Sequence, residues 1–159
     1  MQSQFHIIKE NRKLFIRMME GLTIEQLNEI PAGFNNNMAW NFGHAVVSFQ
    51  MLVYMRAGKE PKISKEYITK YQRGTKPESF IDKEEMDFLK SEAIRLIDEV
   101  EQEWNKGEFT SYQAFTTSLG VPINTNEDAV NFAGTHDMIH FGYAWAMKRL
   151  VLNKSLVAQ

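Results

Sequence analysis

The residues best suited to chemistry are a pair of histidines in the last quarter of the chain. His136 and His140 are four residues apart, a spacing that on an α-helix puts both imidazoles on one face, where they can bind the same metal ion. The positions that continue this face are almost all apolar, so we expect the pair to point into a helical bundle. These positions are Ala129, Phe132, Ala133, Tyr143, Ala144 and Met147.

A third histidine, His44, lies on another predicted helix and also shares a face with apolar residues. That face holds Trp40, Val47, Met51 and Met55, with Asn37 and Asn41 at its polar start. Buried imidazoles are costly unless each has a partner, and a shared ion would be a partner for all three. The alternative is that they are core histidines with ordinary hydrogen bonds, and spacing alone leaves both interpretations open. The fourth histidine, His6, has no companion at helical spacing and is interpreted as a surface or structural residue.

The histidine pair also invites comparison with the zinc peptidases. His136-Asp137-x-x-His140 is similar to their His-Glu-x-x-His motif, with aspartate in the place of the general base. Those enzymes take a third ligand from further along the chain, yet no His, Asp or Glu follows His140 here. Aspartate is also one methylene shorter than the glutamate it would replace. We therefore expect no peptidase activity.

The composition of the chain limits the metal ligands, the partners and the location that it can have. The chain has no cysteine, so a transition metal would have to use nitrogen and oxygen ligands. The formal net charge is -2 without a basic stripe, which predicts no nucleic-acid partner. The N-terminal residues lack the features of a signal peptide, and no apolar run approaches the ~20 residues of a membrane span. We expect a soluble, cytoplasmic protein.

Four segments carry the helical period of apolar residues, and several have recognisable ends. The third segment is the most regular, with apolar residues at three- and four-residue steps from Met86 to Trp104. The fourth has a strong start signal, because Thr125 can cap the helix and Asp128 follows three residues later. The second ends before Gly58, which suits the position after a helix. The predicted helices cover residues 3–21, 36–57, 86–104 and 126–152.

Two long connections separate these helices. Residues 59–81 and 106–124 contain prolines and glycines and no sustained apolar period, and connections of that length can cross a bundle from end to end. No sheet is predicted, although residues 109–117 are suited to a short extended piece. The fold class predicted is all-α, a four-helix bundle in one domain of residues 1–159.

At the histidines the chain resembles a known family, the DinB/YfiT-like metal-dependent enzymes of the DinB superfamily. The resemblance rests on the segment Trp40-Asn41-Phe42-Gly43-His44 and on the pair His136-x-x-x-His140, in that order and about ninety residues apart. It implies a four-helix bundle that runs up-down-down-up. It also implies a divalent ion, nickel or zinc before iron, manganese or cobalt, on His44, His136 and His140. Members are often homodimers.

Three neutral imidazoles would leave such an ion its full charge and an open position, which is typical of a catalytic site. An ion of this kind lowers the pKa of bound water toward ~7 and can deprotonate a thiol. The resemblance points to transfer of low-molecular-weight thiols such as bacillithiol, or to hydrolase and isomerase reactions on a small molecule. The alternative is a non-catalytic metal- or ligand-binding bundle with a role in stress.

Catalytic helpers are harder to identify. No carboxylate falls on the apolar faces beside the three histidines, so no general base is evident. Tyr143, one turn after His140, is positioned to hydrogen-bond a metal-bound species, and Asn41 to orient His44 or a substrate. For both residues the alternative is plain packing or helix capping.

Overall fold

The structure is a computed structural model that describes residues 1–157, with side chains described for residues 1–153. It is 65% helical. The six α-helices are α1 (Gln2–Met19), α2 (Ile24–Asn28), α3 (Met38–Val53), α4 (Lys65–Tyr71), α5 (Lys83–Asn105) and α6 (Asn126–Val157). A 3₁₀ turn covers Met55–Ala57, and the strands β1 (Phe115–Thr116) and β2 (Pro122–Ile123) form one antiparallel pair. Residues 158 and 159 of the predicted single domain, 1–159, lie outside the described residues.

The four long helices, α1, α3, α5 and α6, are the four that the apolar periods predict. They contact one another in a closed ring, in which α3 and α1 each lie against both α5 and α6. The prediction of a mainly helical fold is therefore confirmed, while the up-down-down-up order of the helices stays a prediction. Among the described residues, none of the helices combines the length and the apolar character of a membrane-spanning helix.

The ends of these helices follow from local capping. The hydroxyl of Thr125 accepts the Asp128 backbone N–H at 3.0 Å, and the Asp128 carboxylate accepts the Thr125 N–H at 3.0 Å. This reciprocal pair fixes the start of α6 where the sequence predicts it. At the other end of the predicted second helix, α3 stops at Val53 and the 3₁₀ turn carries the chain to Gly58, whose φ of 73° is left-handed. A glycine is suited to that conformation because it has no Cβ to clash.

The connections contain more structure than their sequences suggest. The predicted loop over residues 59–81 includes α4, and the segment before α3 includes α2. The expectation of no sheet is wrong for residues 115–123, where Phe115 pairs with Ile123. The hairpin closes because the Thr117 N–H donates to the Val121 carbonyl at 2.9 Å and Gly120 adopts a positive φ.

Helix α3 lies at the centre of the molecule and is buried on nearly every side. Its buried residues include polar side chains as well as apolar ones, among them Asn41, His44 and Gln50. A polar group in such a position costs free energy unless it is bonded or serves a ligand. Each buried polar residue of α3 must therefore have a hydrogen-bond partner or a ligand inside the molecule, which makes this helix the place to look for a functional site.

Candidate metal centre

The three predicted ligands converge at one place between α3 and α6. His44 comes from α3, and His136 and His140 lie on consecutive turns of α6. Their ring centroids are 4.6–5.2 Å apart, and one nitrogen of each ring lies within 4.8 Å of the other two. The structure thus brings the three predicted ligands together, while their binding of a metal stays a prediction. The pair on α6 faces a cavity and not a sealed core.

The ring of His44 is fixed from both sides. Its Nδ1 lies 2.6 Å from the backbone carbonyl of Tyr71, and because a carbonyl only accepts, Nδ1 must carry the proton. Nε2 then carries the lone pair, which accepts the Ser48 hydroxyl at 3.2 Å and would bind a metal ion in its place. The indole of Trp40 stacks on the ring at 4.7 Å and 9°. The tautomer and the direction of His44 are thus set by α4 and α3 together.

The ring of His140 is oriented by a chain of asparagines. Its Nδ1 donates to Oδ1 of Asn41 at 2.8 Å, and the Asn41 amide donates in turn to the Asn37 carbonyl at 2.8 Å. Asn37 caps α3 by accepting the Trp40 N–H, and it also donates to the Asn28 carbonyl at 3.1 Å. Asn41 therefore orients His140, where the sequence suggested His44 or a substrate. Such outer partners fix the tautomer of metal-ligating histidines.

All three imidazoles are neutral at neutral pH. Burial lowers the pKa of His136 to about 2, helped by the neighbouring His140 and His44 and by Arg12. Burial likewise lowers the pKa of His140 to about 3, with His44 as a smaller cause. The pKa of His44 is lowered by burial as well, against the raising effect of the Tyr71 carbonyl. Each ring can therefore offer a lone pair without first losing a proton.

These residues fit a divalent transition metal. Neutral imidazoles are good ligands for zinc, nickel, copper and iron, and the described residues contain no other group of three such ligands. Nitrogens on one tetrahedral ion at ~2.0–2.1 Å lie about 3.3 Å from one another. The three ligand nitrogens lie within 4.8 Å of one another, so they would have to approach more closely around an ion.

A cavity of about 830 Å³ opens onto the three histidines. A smaller cavity of about 690 Å³ reaches His140 from the other side and is lined by Asn41 and Tyr143. Tyr143 is 58% exposed, and its ring lies edge-on to Phe34 at 6.1 Å. The predicted catalytic roles of Tyr143 and Asn41 stay predictions. No aspartate or glutamate lines either cavity among the residues with described side chains.

Asp137, which occupies the general-base position of the peptidase-like motif, faces away from this cavity. It is 2% exposed and accepts two hydrogen bonds from Arg12, from Nε at 2.5 Å and from Nη2 at 3.0 Å. Arg12 also donates to the Ala45 carbonyl at 2.7 Å. Burial raises the pKa of Asp137 while Arg12 opposes it. Because arginine keeps its charge, we assign an ionised carboxylate that is committed to this ion pair.

This ion pair is not among the sequence predictions, although the sequence contains a signal for it. Arg12 falls on the apolar face of α1 between Ile8 and Phe15, at helical spacing from both. A charged residue in that position is almost never fully buried unless it is paired. The pair joins α1 to α6 and α3 directly behind the histidines, so it contributes to holding the two ligand-bearing helices in place.

A second close contact explains the glycine that precedes His44. A Cβ added to Gly43 would lie 2.4 Å from Cε1 of Tyr71. The Tyr71 ring is fully buried, and its hydroxyl donates to Glu85 at 2.6 Å. Glycine is needed here for close approach and not for backbone freedom. It lets α4 lie near enough for the Tyr71 carbonyl to reach His44.

Comparison with known proteins finds one sequence family that matches this chain and a solved structure with a similar fold. The sequence model described as the DinB superfamily matches residues 7–144. A solved structure of a conserved protein from Enterococcus faecalis aligns with a TM-score of 0.69 at 13% identity, over 96% of each chain. At that identity the likeness concerns the fold alone. No curated protein matches.

Proposed function

This chain belongs to the DinB superfamily, and we propose that it is an enzyme that holds one divalent transition metal ion on His44, His136 and His140. The observation that carries the proposal is the convergence of three neutral imidazole nitrogens within 4.8 Å. Two of the three rings are held by partners on their other nitrogen. Nickel and zinc are the ions we expect first, with iron, manganese and cobalt as further candidates.

A catalytic site is favoured over a structural one. Structural zinc sites have four protein ligands, whereas catalytic sites have three and keep a position for water or substrate. Here the described residues supply three, and the cavity of about 830 Å³ gives a small molecule access to them. When bound, the ion supplies Lewis acidity that makes a thiol or a water molecule a nucleophile near neutral pH.

The reaction we propose is transfer or hydrolysis with a small-molecule substrate, foremost a low-molecular-weight thiol in an S-transferase reaction. The residues around the histidines hold and orient the imidazole rings, and no carboxylate with a described side chain lines either cavity to take a proton. Protons released in the reaction must therefore pass to the substrate or to solvent. Tyr143 lies beside His140 in the smaller cavity, and we propose it as a hydrogen-bond donor to substrate.

Elemental analysis of the protein without a histidine tag is the first test. We expect close to one transition-metal ion per chain in the wild type and none in the His136→Ala/His140→Ala variant, which has lost two of three ligands. His6→Ala is the matched control, because His6 is an exposed histidine on α1 outside both cavities. A wild type that is empty, and that binds added nickel or zinc no better than the double variant, would contradict the proposal.

The open position has its own test. In cobalt-substituted protein we expect the visible absorption spectrum to change when a small thiol is added, because the thiol takes the free position on the ion. A spectrum that does not respond, in protein that carries one ion per chain, would favour the non-catalytic metal-binding alternative.

Asn41 is a positioning residue in this proposal, and its replacement should weaken metal binding. We expect Asn41→Ala to lower zinc affinity about tenfold, since loss of an outer partner of a metal ligand costs ~10–100-fold. Asn41→Asp keeps the acceptor oxygen for His140 Nδ1 and should restore most of the affinity. Asn35→Ala is the control, as Asn35 is exposed and lines the same cavity. Wild-type zinc affinity in Asn41→Ala, measured by chelator competition, would show that the hydrogen bond has no such role.

Dimerisation, implied by the resemblance, is a further prediction. Sedimentation equilibrium on the metal-loaded protein would show a mass of twice 18.5 kDa if it is correct, and a single chain mass if it is not.

A further inference from the structure

Two arginines line the cavity that opens onto the histidines. Arg56 lies in the 3₁₀ turn after α3, and Arg73 follows α4. No acidic side chain among the described residues lines that cavity. The histidines themselves are neutral, so the charge of the wall is positive even before a metal ion is bound.

Arg56 is held in place without being neutralised. Its guanidinium lies 4.3 Å from the centroid of the Phe115 ring on β1, and its backbone carbonyl accepts the Gln113 N–H at 2.7 Å. Within the part of the chain whose side chains are described, it forms no ion pair. Arg12 and Arg95 differ from Arg56 in this respect, because each of them pairs with a carboxylate.

The segment that carries Arg73 is attached to the same cavity wall. The Thr75 hydroxyl accepts the Trp40 indole N–H at 3.2 Å and donates to the Lys70 carbonyl at 2.8 Å. Trp40 is the residue that stacks on His44. The contacts of Thr75 with Trp40, and of Trp40 with His44, thus hold the segment of Arg73 beside the site. Like Arg56, Arg73 forms no ion pair with a described side chain.

The rest of the wall is largely apolar. Met51 and Met55 line the cavity together with Arg56, and Phe132 and Ile139 line it beside the histidines of α6. A guanidinium presents a planar set of donors that matches a carboxylate or phosphate. A fitting ligand therefore combines an acidic end, an apolar middle and a group that reaches the histidines.

We infer that the cavity binds a small organic acid as substrate, with its anionic group on Arg56 and Arg73 and its reacting group at the three histidines. Only the placement of the reacting group at the three histidines rests on the proposed function. The recognition of the anion depends on the two guanidiniums and on the absence of acidic side chains from the wall.

The test compares two thiols that differ in one group, 3-mercaptopropionate and 3-mercapto-1-propanol. Their dissociation constants are measured from the absorption of cobalt-loaded protein. We expect wild type to bind the acid at least about tenfold more tightly than the alcohol, because bonds between a guanidinium and a carboxylate are charge-assisted. In Arg56→Met/Arg73→Met we expect the ratio to fall to about one, with alcohol binding unchanged.

Three further variants keep the comparison sharp. Arg17→Met removes an exposed arginine outside the cavity and should leave the ratio at its wild-type value. Arg56→Lys keeps the charge and should retain part of the preference. Arg73→Met alone removes an exposed side chain and remains usable if the double variant fails to fold. A ratio near one in wild type, or a ratio unchanged in the double variant, would overturn the inference.

A metal-free experiment separates this inference from the proposed function. In metal-free protein with ¹³C-labelled methionine methyl groups, 5-phenylvalerate should shift the signals of Met51 and Met55 in wild type and not in the double variant. If these shifts are seen in a protein that binds no metal, the anion site is supported and the proposed metal-dependent activity is contradicted. If one ion binds per chain, but the acid is not preferred over the alcohol and 5-phenylvalerate does not shift the two methionine signals, only the anion site is contradicted.

Discussion

Replacing Arg12 by methionine is expected to lower the free energy of unfolding by about 3–5 kcal/mol, the usual cost of removing one partner of a buried ion pair. Arg12 is 1% exposed and Asp137 is 2% exposed, so the carboxyl group would be left buried without its partner. The hydrogen bond from Arg12 to the Ala45 carbonyl would be lost as well. Denaturation by urea, followed by circular dichroism, measures the change.

Two comparisons separate the loss of the partner from the loss of the charge. Arg12→Met/Asp137→Leu removes both charges and should recover most of the stability, since a buried pair is often no better than apolar residues of similar size. Lys13→Met breaks the neighbouring pair with Glu10, whose side chains are 49% and 44% exposed, and should cost under ~1 kcal/mol. If Arg12→Met costs no more than Lys13→Met, the ion pair does not stabilise this fold.

The second large effect is expected at Gly43. A methyl group there would lie 2.4–2.8 Å from three carbons of the Tyr71 ring, and the ring cannot easily move because it is buried and its hydroxyl is bonded to Glu85. Gly43→Ala should cost about 3 kcal/mol, the upper end of the range for overpacking. Because Tyr71 orients His44 through its carbonyl, metal affinity should fall as well.

Gly142→Ala is the matched control for that variant. Gly142 is also inside a helix, α6, and nothing lies within 4 Å of the added methyl. Alanine is the better helix former, so this change should raise stability by up to ~1 kcal/mol. Opposite signs for the two substitutions, in thermal unfolding of metal-free protein, would confirm that contact with Tyr71 decides the effect. A stabilising Gly43→Ala would contradict it.

Much of this fold is predictable from local sequence. Long helices bury a continuous apolar face, so the regular steps between Met86 and Trp104 are enough to locate α5. The start of α6 is visible because Thr125 and Asp128 form a local cap that needs no tertiary contact. The same periodicity puts His136 and His140 on one face, and this is why two of the three ligands can be paired from the sequence alone.

The short elements are less accessible to such reasoning. Helices of five and seven residues, such as α2 and α4, are too short to form on their own. Their stability comes from tertiary contacts of single residues, Leu27 in α2 and Tyr71 in α4, both of which are buried. The role of Tyr71 in holding His44 depends on a backbone carbonyl. No side-chain pattern encodes such a contact.

The partner of each orienting residue is likewise a matter of three-dimensional packing. The sequence puts Asn41 one turn before His44 on the same helix, and only the packing of α3 on α6 shows that its partner is His140. Arg12 and Asp137 are 125 positions apart, and neither sequence neighbourhood points to the other. Spacing identifies ligands within a helix, whereas contacts between helices require the fold.

The separation of Arg12 from Asp137 also has a consequence for how the protein is made. A ribosome adds about 5–20 residues per second, so Asp137 is synthesised about 6–25 s after Arg12, which lies 125 positions earlier. Throughout that time the nascent first helix carries a guanidinium in the middle of its apolar face, without Asp137, its partner in the folded protein. Premature collapse onto that face would bury an unpaired charge and is therefore disfavoured. The same side chain that stabilises the finished protein helps to keep the growing chain open until its last helix emerges.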